Sequence, residues 1–97
     1  MDGKFQTKKG QTLITFENGY QISIINHHMA YADGKVETDS MCESTSVEVA
    51  IFKGDEWVTK EVLEPFYHHL IYDDVEGHVD MKTLAEMLRY IANLKVA

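Results

Sequence analysis

One cysteine, one proline and one arginine stand in the whole chain, and each scarcity removes a class of protein. Cys42 has no second cysteine, so an internal disulfide and any Cys-rich zinc site are excluded. Long apolar runs are also missing; the longest spans a few residues, against the roughly 20 needed to cross a bilayer, so no transmembrane segment is expected. Residues 1–5 lack the apolar stretch of a signal peptide, and a cytoplasmic location is the expectation. Basic residues are scarce: nine Lys and Arg face sixteen Asp and Glu, a formal charge of −7, with Arg89 the only arginine. Affinity for phosphate backbones comes mainly from Lys and Arg, so direct nucleic-acid binding is disfavoured. No Gly-rich phosphate loop, internal repeat or low-complexity segment is present, and no cofactor is implied.

What remains is the composition of one small folded domain. Ninety-seven residues enclose a single core and leave nothing for a second. Residues 1–11 are polar and Gly-punctuated, with Phe5 their only large apolar group, which reads as a flexible lead-in to a domain over 12–97. Asn18-Gly19 then separates two alternating runs, 12–16 and 20–25. Asn-Gly suits the two positive-φ positions of a type I′ turn, so a β-hairpin is expected. Residues 27–44 show no sustained periodicity and read as a long connection; loops of this length tend to be functional. Residues 45–52 alternate again, with Val47, Val49 and Ile51 on one face. A turn at 53–56 and a returning strand from Trp57 complete a second hairpin.

The stretch 61–72 is ambiguous because Pro65 interrupts it; a turn at Glu64-Pro65 and a strand over 66–72 are expected. In 74–79, Gly77 reads as a tight bend before the last element. Asp80 caps a helix over 81–95, whose stripe of Met81, Leu84, Met87, Leu88, Ile91 and Leu94 has helical spacing. The stripe covers a sheet, and any excess width would make a homodimer contact. The fold expected is α+β: an antiparallel sheet of four or five strands, in two hairpins, packed by one C-terminal helix.

Chemistry-bearing residues are present without a catalytic pattern. His27-His28 and His68-His69 are adjacent pairs, and neighbours in a strand point to opposite faces, so neither pair presents both rings to one ion. One histidine from each pair with His78 is the alternative, a histidine-based metal or small-ligand site; otherwise these are surface or packed imidazoles. Cys42 lacks a neighbouring base, and Gly77 has no phosphate-loop context. An activity that makes or breaks bonds is not expected.

Acids cluster instead. Between Lys53 and Asp80 eight acids face two lysines, whereas residues 1–11 hold three lysines and one acid. Such asymmetry steers a basic partner surface, although carboxylates of this kind also serve simply as a solvated face. Tyr31, placed in the long loop with Asp33, Glu37 and Asp39, is a binding candidate because exposed tyrosines are frequent hot spots. Asp55, Glu56, Asp73, Asp74 and Glu76 complete the candidate set.

The run Thr15-Phe16-Glu17-Asn18-Gly19-Tyr20-Gln21-Ile22-Ser23, the Val47-Glu48-Val49-Ala50 strand and Val75-Glu76-Gly77-His78-Val79 before the last helix resemble a group of small bacteriophage proteins of unknown function. The resemblance covers about 80 residues, with 61–72 looking like an insertion. It implies a protein that binds and blocks a host or defence protein in the host cytoplasm, and it supplies no catalytic residues. The composite expectation is a small acidic binding protein whose partner carries a basic surface. A self-associating virion or assembly accessory is the remaining alternative.

Overall fold

The computed structural model describes residues 2–66 and 75–96. Their eight strands and two helices run β1 (Lys4–Lys8), β2 (Gln11–Thr15), β3 (Tyr20–Ile25), β4 (Val36–Glu37), β5 (Cys42–Glu43), β6 (Ser46–Lys53), β7 (Glu56–Trp57), α1 (Thr59–Leu63), β8 (Glu76–Asp80) and α2 (Met81–Ala92). The main sheet is antiparallel, in the order β1-β2-β3-β6, and the far edge of β6 is shared by β8 along its first half and β7 at its end. β4 and β5 form a separate two-stranded ribbon. The α+β class holds, with six strands in the main sheet.

The additional strand comes from the segment read as a lead-in. Lys4–Lys8 pairs with β2 in unbroken register from Lys4↔Thr15 to Lys8↔Gln11, with Gly10 at φ 74 closing the turn. Every β1 side chain is exposed, so its order comes from backbone hydrogen bonds that no apolar pattern could announce.

The Asn18-Gly19 turn joins β2 to β3 as expected, but by different chemistry. Gly19 has φ 94, whereas Asn18 is not in the positive-φ region, so the turn is not type I′. Gly19 N donates to Phe16 O and Phe16 N to Tyr20 O, the pattern of a longer turn closed by a left-handed glycine. The Asn18 side chain is buried and serves a distant element: Nδ2 donates to Ile91 O at 2.8 Å and Leu94 O at 3.0 Å. Ile91 lies in the last turn of α2 and Leu94 two residues past its end, where the regular helical partners run out. The helix stops at Ala92, short of the expected residue 95, with Asn93 as its C-cap. At its start Asp80 accepts from Thr83 N at 2.8 Å, as the sequence indicates.

The returning strand after β6 is also cut short. Val58 N donates to Ile51 O, and Thr59 Oγ1 accepts from Ile51 N at 2.8 Å, so a side chain replaces the next rung and the backbone turns into α1. Pro65 sits in a short 3-10 turn, Glu64–Phe66; the strand expected over 66–72 otherwise lies outside the described residues. One face of the sheet, through Ile22, Val47, Val49 and Ile51, meets Val62 and Leu63 of α1, Val79, and Met87 and Ile91 of α2 in the apolar core. No described helix is long and apolar enough to cross a membrane.

Candidate interaction surface

The connection 27–45 does not hang free. It folds into a flap against β6 and β8, on the side of β6 that carries Ser46, Glu48 and Ala50. Tyr31 N donates to Glu48 Oε1 at 2.9 Å, and Asp33 N to Ser46 Oγ at 2.7 Å. Thr45 N donates to Asp33 O just before β6 begins, closing the flap on itself, and His78 N of β8 donates to Tyr31 O. Ala30 and Ala32 are buried because a side chain no larger than methyl lets the flap backbone lie close to the sheet. Gly77 is needed for the same reason rather than for a bend. A Cβ there would sit 2.6 Å from Tyr31 Cβ and 3.2 Å from Tyr31 O. Gly77 lies within β8, where the register shifts between Val47 and Val49, and His78 takes φ 55 at that irregularity.

Asp33 is the polar centre of the attachment. Its Oδ2 accepts from Ser46 Oγ at 2.6 Å and lies 3.1 Å from His78 Nδ1. The hydrogen bond from Ser46, then that with His78, holds the Asp33 carboxyl below the usual carboxylate range. Serine, histidine and aspartate thus meet, but in the wrong order for nucleophilic catalysis. Ser46 Oγ donates to the carboxylate and accepts from the Asp33 amide, so the imidazole does not take its proton.

Further out, the β4–β5 ribbon packs beside the β1–β2 turn. Cys42 Sγ donates to Glu37 Oε1 at 3.4 Å, while Lys9 Nζ and His28 Nδ1 stand 4.0 and 3.9 Å from the same carboxylate. Burial first, then the Glu37 carboxylate, pushes the Cys42 thiol up, which keeps it protonated and weakly nucleophilic. Lys35 Nζ closes the flap on itself through His28 O and Ala30 O. His27 Nδ1 accepts from Met29 N. Among the described residues no group of three or more His, Cys, Asp or Glu is arranged to hold a metal ion; His68 and His69 lie outside them.

The candidate residues divide. Tyr31, Asp33, Glu37 and Asp39 are together on the flap and exposed. Asp55 and Glu56 are exposed at the β6–β7 turn, the opposite end of β6 from Ser46, on the order of 20 Å away at the usual strand rise. Glu76 is a correction: on β8, opposite Val49 of β6, it is 5% exposed and so is not a surface carboxylate open to a partner. Asp73 and Asp74 lie outside the described residues. The described acids therefore do not converge on one patch.

Of the exposed apolar members of the flap, the sequence pointed to Tyr31 as a binding candidate and left out Met29, Val36 and Met41. Met29, Tyr31, Val36 and Met41 are each more than half exposed, within thirteen residues of chain. The alternation of Ser46, Glu48 and Ala50 opposite the core face of β6 was the available sign that a polar cover was needed there. No protein-family model matches the chain, and neither curated proteins nor solved structures return a match.

Proposed function

We propose that this protein acts by binding a protein partner through the flap, and not by catalysis. The observation that carries the reading is the exposure of Met29, Tyr31, Val36 and Met41 on a segment fastened to a rigid sheet. Methionine and tyrosine on a scaffolded loop provide adaptable apolar contact and anchoring area. Asp33, Glu37 and Asp39 are exposed on the same segment and favour a partner with a basic surface; Asp55 and Glu56 lie at the other end of β6. The resemblance to small phage proteins directs the search to a host or defence protein that such binding would block. The test is capture from host lysate followed by identification and a direct affinity measurement with the purified partner. Tyr31→Ala combined with Met29→Ala is expected to weaken binding about tenfold or more, as truncation of hot-spot residues does, with the unfolding transition unchanged. Undiminished affinity of that double variant would remove the flap from the interface.

A further inference from the structure

The outer edge of the main sheet, on β1, differs from the flap in both backbone and charge. β1 pairs with β2 alone, so among the described residues nothing pairs with its outer edge. A two-residue turn closes the hairpin at Lys8↔Gln11. Alternation from that rung gives the inward hydrogen bonds to Lys8, Gln6 and Lys4, leaving the N–H and C=O of Phe5 and Thr7 directed outward. Beside this edge lies a groove of about 300 Å³ lined by Gln6, Thr7, Lys8, Gln11 and Leu13. Phe5 is largely exposed on the other face of the strand.

Charge selects what such an edge accepts. Of the chain's sixteen acids only Glu17 falls within 3–32, a stretch that contains Lys4, Lys8 and Lys9. Lysines on an edge strand are a usual guard against pairing with another copy. Here they do so directly, since antiparallel self-pairing centred on Gln6 would set Lys4 opposite Lys8 twice, like charges facing each other. The same lysines favour a strand with carboxylates at alternate positions. Its backbone would complete the ladder, with its carboxylates on the face of Lys4, Gln6 and Lys8, beside the 300 Å³ groove, and its intervening side chains on the other face, next to Phe5.

We propose that the outer edge of β1 is a strand-addition site for an extended acidic segment of a partner protein. It is distinct from the flap and does not depend on the flap reading. The test is an amide NMR titration of the full chain with a short capped peptide in which Glu and Val alternate, against its Lys and Val counterpart. Shifts at residues 4–8 with the acidic peptide, and protection of the Phe5 and Thr7 amides from exchange, are expected. Lys4→Glu with Lys8→Glu should weaken the acidic peptide at least about tenfold by reversing the complementarity. Thr7→Pro removes an outward donor but no inward rung, a position where edge strands tolerate proline, and should abolish binding while the other amide resonances stay in place. Equal binding of both peptides, shifts confined to the flap, or no binding at millimolar peptide would overturn the proposal. So would a dimer in sedimentation that Thr7→Pro dissolves, which would assign the edge to a second copy.

Discussion

On one face of β6, Val47, Val49 and Ile51 join the side chains of α1 and α2 in the apolar core, whereas on the other, Ser46, Glu48 and Ala50 are covered by a loop attached through hydrogen bonds. Both faces are buried, as all six residues are inaccessible to within a tenth of their surface. The means differ. Apolar burial contributes about 25 cal/mol per Å² and carries no dependence on protonation, while each polar tie contributes about 1 kcal/mol net and can be released singly. The core face should therefore set global stability, and the flap face should open by itself at lower free energy. For a surface that must fit a partner this division is useful, because the flap can adjust without unfolding the sheet.

The largest effect should come from the core. Ile51 is fully buried, and Ile51→Ala is expected to lose about 2–5 kcal/mol in urea denaturation, by lost transfer free energy and the cavity left behind. Because this loss is global, core amides that exchange only on full unfolding should lose protection, while flap amides, which exchange through their own opening, should keep most of theirs. A loss below about 1 kcal/mol would mean that the core face can collapse around the gap and does not set stability.

Gly77→Ala addresses the flap face. The added methyl would lie 2.6 Å from Tyr31 Cβ and 3.2 Å from Tyr31 O, and neither is the far end of a flexible side chain. The flap must move outward, at about 1–3 kcal/mol, the usual range for overpacking. The amide of His78, which donates to Tyr31 O, should lose protection while amides of Ile22 and Val49 keep theirs. If Gly77→Ala instead lowers protection uniformly, the two faces unfold as one unit and the contrast between them fails.

How far this division could be read from the chain depends on which force fixes each element. Alternation in 45–52 and helical spacing after Asp80 are apolar patterns, and both elements form there, the strand over Ser46–Lys53 and the helix from Met81 to Ala92, short of residue 95. β1 and the flap carry no such pattern. Backbone pairing orders β1, and side chains more than ten residues away in sequence hold the flap, as Ser46 holds Asp33 and Glu48 holds Tyr31. Asn18 shows the same limit at one residue: its local turn role was legible in outline, while its tie to Ile91 O, seventy-three residues away, was not. For the candidate surface, hot-spot preference pointed to Tyr31 and charge counting to Asp33, Glu37 and Asp39, all exposed on the flap, but charge counting also named Glu76, which is buried. The burial of Glu76 depends on a strand pairing that no local window contains.

The smallest expected effect is the finest test of the division, because it should touch the flap's anchor and leave the core unaffected. Asp33 is exposed and its carboxyl is held below 3.8, so the stabilisation it gives is fully present above that value and is lost as pH falls through the lower value of the folded state. Acidification below about 3.8 should reduce protection at the Asp33 and Thr45 amides, which depend on this anchor. Glu48 also faces the flap, through Tyr31 N, and Asp80, likewise held low by Thr83, caps α2 on the other side. Asp33→Asn separates the three: it should remove the flap's acid step while fraying of the first turn of α2 at low pH persists. An unchanged acid profile at Asp33 and Thr45 in that variant would transfer the anchoring role to Glu48. The flap would still be a polar attachment, but one governed by a carboxylate inside the interface instead of one at its rim.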